Sequence, residues 1–399
     1  MTDGFLPAAE TAWITERALG LGFDACGVAP AERFPELSRY TEWLDRGYAG
    51  EMKYLRDPRR LDARDAMPGV RSLIVCALNY NGGQPYSTQV KTLGNPKAFI
   101  KSGFVSTNPE ARGWISRYAW GDDYHEILWG KLNAICGEMR AHFPQKFEVR
   151  GYADTGPIHE RTAAKYAGLG WLGKNTLLIN QSLGSWLFLG VILTSLPLKP
   201  TLDVAEAPPP DRCGTCRKCL DACPTQAFSA PYVLDASRCI SYLTIELRGP
   251  IPEEFREAMG NHVFGCDICQ DVCPWNRKSP RTTAKEFAPR GLPENNGGDE
   301  SLFFPELLRI ARLSPEEFRE VFRGSAIKRT KWAGIIRNAC IALGNEGSKA
   351  DAGTRREIVE ALGRLAGYAD PVIAESARWA LSRIQPERDE LRETAPARG

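Results

Sequence analysis

The sequence has no run of 18 apolar residues, which excludes an ordinary transmembrane helix and leaves no expectation of a membrane partner. Its first residues, MTDGFLPAAETAW, lack the basic segment and apolar stretch of a secretory leader, so a cytoplasmic protein is expected. Net charge is also scarce. The 51 Lys and Arg against 49 Asp and Glu leave +2, so no global field exists and a polyanion would need a local patch. The four histidines, His125, His142, His159 and His262, are too scattered to suggest a mononuclear metal site. His125 is open to two readings, a packed polar residue or a functional one. Apolar residues at 43% and charged residues at 25% exclude a largely disordered chain, and 399 residues exceed one ordinary core.

Cysteine is abundant, at 12 residues. In a chain that is not exported, thiols point to metal ligation rather than disulfides. Cys26, Cys76, Cys136 and Cys340 stand singly among apolar neighbours and read as small core residues. The other eight lie between 213 and 273. Cys213, Cys216, Cys219 and Cys223 precede Pro224 with the spacing of a two-cluster ferredoxin. Cys266, Cys269 and Cys273 precede Pro274 in the same pattern, with Cys239 displaced upstream. Three thiolates on a tight loop reach one 4Fe–4S cluster, and the fourth, before the proline, points to the other. That logic assigns Cys213, Cys216, Cys219 and Cys273 to one cluster, and Cys223, Cys239, Cys266 and Cys269 to the second. Zinc is the alternative, but it favours separated C-x2-C pairs.

Residues 1 to about 205 read as a mixed α/β domain, within an α+β chain overall. Thr11–Leu19 and Asp123–Met139 have helical spacing, the latter placing Ile127, Leu128, Leu132 and Ile135 on one face. Ser72–Leu78, Phe147–Tyr152 and Trp186–Leu193 read as strands. Residues 83–112 form a polar, Gly- and Pro-containing insertion, Ala205–Pro210 a linker, and 288–299 another loop. The expected division is therefore 1–205, a ferredoxin-like 206–287 and a helical 288–399. In the last part Ile336–Leu343 matches Ala374–Leu381 at an offset of 38 residues, a period suited to HEAT-type helix pairs.

Two motifs have competing readings. Gly168, Gly170 and Gly173 match G-x-G-x-x-G, but a helix-forming segment precedes them rather than a strand. Ending a helix and admitting close backbone approach fits them better. Asp154-Thr-Gly-Pro157 stands between a strand and a helix, and a simple helix cap is the bland reading.

Taken with the cysteines, Ser116–His125, Asp154–Arg161, Ala167–Thr176, Arg238–Glu246, Phe322–Lys331 and Arg337–Asn345 resemble the epoxyqueuosine reductase family over nearly the whole chain. His159, where the family usually has an aliphatic residue, and the long 83–112 insertion depart from its pattern.

The resemblance implies two 4Fe–4S clusters, cobalamin, and reduction of an epoxide on the wobble nucleoside of tRNA to an alkene, taking two electrons and two protons. It implies Asp154 as general acid, and an acid working at neutral pH is expected to be buried with a raised pKa. Corrin contacts are implied at Ala77, Arg117, Tyr118, Asp154, Lys174, Asn175, Leu178, Ser241 and Tyr242. Arg323, Lys328, Arg329, Lys331 and Arg337 place five positive charges in fifteen residues without an acid. A solvated helix face is the ordinary reading of such a run, and the resemblance turns it into a tRNA phosphate surface. Also implied are tRNAs with GUN anticodons, a low-potential donor such as flavodoxin or ferredoxin, and a monomer. Two other functions compete: a cobalamin reductase of a small molecule such as an organohalide, and a non-catalytic electron carrier.

Overall fold

The computed structural model describes residues 4–90, 111–202, 207–293 and 299–385. Most of the 83–112 insertion, the start of the 205–210 linker and residues 294–298 of the third loop lie outside the described residues. The chain is a mixed helix and sheet protein with two compact units, each assembled from separate stretches. The first comprises Met1–Gln84, Gly121–Ser237 and Ile268–Ala288, and the second Pro85–Trp120, Arg238–Asp267 and Pro289–Gly399.

The first unit is built on a four-stranded antiparallel sheet. Its strands are β1 (Ala25–Pro30), β2 (Ser72–Asn79), β3 (Val149–Tyr152) and β4 (Leu187–Thr194), in the order β1-β2-β4-β3. The register sets Ala25 opposite Ala77, Ala77 opposite Leu189, and Tyr152 opposite Val191. β2 is buried at every position, so its sequence is a continuous apolar run without alternation.

Three helices serve this sheet: α1 (Ala8–Gly20), α2 (Tyr124–His142) and α3 (Glu160–Tyr166). α2 buries Leu128, Leu132, Ile135, Cys136 and Met139, the stripe that helical spacing selects, while Ile127 is half-buried. Leu132 lies where a Cβ on Gly151 or Gly190 would be, at 3.1 and 2.8 Å. These two strand glycines therefore let the helix settle close, and full burial of a leucine contributes about 1.5–3 kcal/mol. α3 contributes Ala163 and Ala164 to a core with Val75, Ala77 and Leu193.

The glycines after α3 do what the helix-ending reading requires. Gly168 takes φ +81°, its N–H donates to the carbonyl of Lys165 (3.1 Å), and the N–H of Leu169 donates to that of Ala164 (2.9 Å). A Cβ on Gly170 would stand 2.2 Å from the carbonyl oxygen of Ile179. The chain turns and passes close to itself here.

In the second unit Trp114–Ile115 pairs in parallel with His262–Phe264. Its helical part includes α4 (Lys331–Glu346), α5 (Ala352–Ala366) and α6 (Pro371–Ile384). The matched segments of the 38-residue period lie on α4 and α6, which pack together at Gly344, where a Cβ would come within 2.9 Å of the Ala380 Cα. Asp351 and Asp370 cap α5 and α6 through the backbone N–H groups of their first turns.

Candidate cluster centre and acid loop

None of the twelve cysteines is paired in a disulfide. Within the first unit, Cys213, Cys216, Cys219 and Cys273 come together. Cys273 packs with Trp171, Ile179, Cys213 and Trp275, and the Trp171 and Trp275 rings meet edge to face at 4.9 Å. Burial pushes the Cys219 thiol up to about 11, and the charges of Cys273 and Cys213 push it the same way. Burial likewise raises Cys273, with Cys213 and Cys216 adding to the effect. Burial also raises Cys213, and thiols held against ionisation in an apolar setting fit a multi-iron cation, since ligation requires thiolates and the metal supplies the missing charge. Among the described residues no three His, Cys, Asp or Glu side chains converge on a single metal ion.

Backbone detail fixes the loop. Lys174 donates from Nζ to the carbonyls of Gly214 (2.5 Å) and Cys216 (3.0 Å), and Asp211 accepts the N–H of Cys213 at 2.7 Å. Of the remaining cysteines, Cys223 and Cys269 belong to the first unit and Cys239 and Cys266 to the second. The Cys223 sulfur accepts the N–H of Ala227 at 3.3 Å, and Asn175 donates to the carbonyl of Cys269 at 3.4 Å. Cys239 stands at the N-cap of the helix Ile240–Ile245. Before Cys266, Gly265 has φ +68°, donates to Thr244 Oγ1 (2.9 Å), and would drive a Cβ to 2.5 Å from that of Ser116. The buried Asp267 gathers the Trp114 indole N–H (3.1 Å), the Ser116 hydroxyl (2.5 Å) and the Arg117 N–H (2.8 Å).

Asp154 sits just beyond β3 in left-handed backbone, φ +57°. It is not a cap: His159 is the N-cap residue of α3 and makes no side-chain cap bond. The expectation of a buried acid is corrected, because the Asp154 side chain is 64% exposed. It is held by a hydrogen bond instead. The Tyr124 hydroxyl donates to Oδ2 at 2.6 Å, and His125 Nε2 lies 3.9 Å from the same oxygen. Tyr124 stacks on Phe188 with centroids 4.3 Å apart, and His125 stacks on Tyr124 at 4.0 Å. Glu160, the first residue of α3, has one carboxylate oxygen shut off from solvent without a hydrogen-bond partner. Burial pushes this carboxyl up to about 8, and the charge of Asp154 adds to the rise.

Other expected contacts are distributed differently. Ala77 and Leu178 lie within the apolar core. The Arg117 guanidinium is buried, donates to the carbonyl of Pro85 and stacks over Trp120 and Tyr86. Tyr118 and Ser241 are half-buried, while Asn175 and Tyr242 are buried. Arg323, Lys328, Arg329 and Lys331 are exposed. Arg337 is a correction: it is 0% exposed, and its guanidinium donates to the carbonyls of Leu243 (2.6 Å), Leu247 (2.8 Å) and Gly249 (2.7 Å). A side chain so enclosed offers nothing to a phosphate.

Residues 60–155 match the epoxyqueuosine reductase QueG family, and residues 212–276 match the 4Fe-4S double cluster binding domain. Epoxyqueuosine reductase of Escherichia coli is 40% identical over 83% of this chain and 80% of its own. That of Gloeobacter violaceus is 42% identical over 85% and 98%. The chain belongs to the epoxyqueuosine reductase family. A crystal structure of an epoxyqueuosine reductase with an epoxyqueuosine-modified tRNA-Tyr stem loop matches with a TM-score of 0.77 and 29% identity, over 94% of this chain and 90% of the other. The Streptococcus thermophilus epoxyqueuosine reductase matches with a TM-score of 0.76 and 27% identity, over 97% and 95%. Within this family fold the sequence missed Tyr124 and Glu160 as neighbours of Asp154, and Asp123 as the partner of His125. The run Asp122-Asp-Tyr-His125 carried a signal, a cluster of polar groups at a helix start, but nothing in it named the partner thirty residues on.

Proposed function

We propose that this protein reduces epoxyqueuosine to queuosine at the wobble position of tRNA. The observation that carries the reading is the gathering of Cys213, Cys216, Cys219 and Cys273, in a chain whose Asp154 is presented to solvent by Tyr124. The first set of thiols would hold one 4Fe–4S cluster, and Cys223, Cys239, Cys266 and Cys269 the other. Cobalamin, when bound, supplies a strongly reducing metal centre that side chains lack. Its contacts are proposed at the residues that keep accessible surface, Asp154, Tyr118, Lys174 and Ser241, with the neighbouring backbone.

The chain's own residues supply binding and protons. Asp154 protonates the departing oxygen, and Tyr124 orients the carboxyl through its hydrogen bond to Oδ2. The exposed Arg323, Lys328, Arg329 and Lys331 would position tRNA phosphates without reading sequence. The proposal extends to a cobalamin-binding part over 1–205, a cluster part over 206–287 and a HEAT-like tRNA-binding part over 288–399. It also includes GUN-anticodon tRNAs, a flavodoxin- or ferredoxin-class donor, a monomeric state and a cytoplasmic location.

The test is an anaerobic assay on epoxyqueuosine-containing tRNA, with and without added cobalamin. Conversion to queuosine that needs the corrinoid is expected. The variant Asp154→Ala should keep its iron and lose turnover. Full activity in that variant would remove Asp154 from the mechanism.

A further inference from the structure

Turning an epoxide into an alkene and water places both protons on one oxygen. The first arrives as one C–O bond breaks, and the second as the resulting hydroxyl departs. One carboxyl carries one proton, so the donor must be reloaded between the two transfers. Resting on the functional reading above, we propose that His125, oriented by Asp123, reloads Asp154 and so acts as a positioning and relay residue.

The geometry is a chain of three groups. His125 Nδ1 lies 2.7 Å from Asp123 Oδ1, and its Nε2 faces Asp154 Oδ2 at 3.9 Å. The Asp123 side chain is 2% exposed, that of His125 25% and that of Asp154 64%. The series runs from the interior to solvent. An ionised Asp123 only accepts, so Nδ1 keeps its hydrogen and Nε2 is the site that gains and loses a proton. Nε2 and Oδ2, the latter also accepting the Tyr124 hydroxyl, then face each other as two acceptors that can share one added proton. Either Asp154 holds it as the acid, or His125 holds it as the imidazolium beside a carboxylate.

The proton balance is simple. Asp154 gives its proton to the substrate oxygen and becomes a carboxylate. The His125 imidazolium passes the Nε2 proton to Oδ2 and becomes neutral, and solvent restores it. A bridging water or a movement of about 1 Å of the exposed Asp154 loop closes the gap to hydrogen-bond range. The two electrons come from the low-potential donor class named above.

Among the described residues, several charged and titratable groups act on the couple. Asp123 and Tyr124 face it from the start of α2, and Asp154 from the loop after β3. Glu160 acts on Asp154 from α3, and Arg60 and Arg161 act in turn on Glu160.

Nitrogen NMR of the full-length, cluster-loaded protein with labelled histidine reads the tautomer directly. Neutral His125 should carry its proton on Nδ1, and Asp123→Asn should move it to Nε2. Turnover gives the second readout. His125→Gln should keep iron content and KM for tRNA, lose at least ~10-fold in kcat, and shift the alkaline limb of the kcat profile to lower pH. Added imidazole should restore part of the loss in His125→Ala. A wild-type kcat and pH profile in His125→Gln, or an Nε2-bound proton in the unmodified protein, overturns the relay while leaving the reductase reading intact. Absence of turnover by the unmodified enzyme overturns both.

Discussion

The Tyr124 hydroxyl donates to Asp154 Oδ2 at 2.6 Å, across a backbone separation of thirty residues. Tyr124 is itself clamped, lying flat on Phe188 with an interplanar angle of 4°. An exposed acidic side chain on a left-handed loop tip is thereby tied to the sheet. Removing the hydroxyl deletes a bond to a charged acceptor, for which about 1.5–3 kcal/mol is typical. The variant Tyr124→Phe should retain its fold and iron content. Its single-turnover rate on epoxyqueuosine-tRNA should fall by roughly 10- to 100-fold, the same energy read as a rate.

Glu160 gives a pH prediction for stability. Burial and the charge of Asp154 push its carboxyl up to about 8, from an ordinary value of 4.5. The folded state therefore holds this proton more tightly than the unfolded chain. The associated stability is complete below the ordinary value and is lost as pH rises towards and through about 8. Glu160→Gln removes the titration. Its melting temperature should change less than that of the unmodified protein between pH 5 and pH 9, approximate limits that bracket the two states. It should exceed the unmodified protein at the alkaline end, and parallel melting curves would contradict the assignment.

Much of this was legible in the sequence, and the gaps have physical causes. β2 announced itself because eight consecutive positions are buried, and α2 because its apolar stripe follows the helical period. The cysteine spacing grouped Cys273 with Cys213, Cys216 and Cys219, and the fold brings these four side chains near one another. The surroundings of Asp154 were hidden because Tyr124 and His125 reach it through tertiary packing. Arg337 was misread for the same reason. Its burial depends on carbonyls more than eighty residues upstream, which a local charge count never sees.

The proposed crossed ligation makes its own prediction. Cys273 is distant in sequence from Cys213, Cys216 and Cys219 but shares their apolar pocket. Cys273→Ala should lower iron from about eight to about four per chain, because one cubane loses a ligand while the other keeps its set. Anaerobic iron analysis with spin quantitation reads this. Cys136→Ala, a change at a buried core thiol on α2, should leave iron unchanged.

The basic segment separates into two parts with different experimental signatures. Lys328 and Lys331 are exposed, and replacing both with alanine should lower the salt dependence of tRNA binding, by about 0.7–0.9 in the log–log slope for each phosphate that is no longer neutralised. Melting temperature should be unaffected. Arg337 should behave oppositely. Its guanidinium satisfies three carbonyls and faces Asn338 Oδ1 at 2.9 Å, so Arg337→Leu strands several buried acceptors. Each buried group left unsatisfied costs about 1–3 kcal/mol. The variant should therefore unfold at markedly lower denaturant, while any protein that remains folded keeps the unmodified salt slope. A reduced salt slope in Arg337→Leu at unchanged stability would return that residue to the RNA surface.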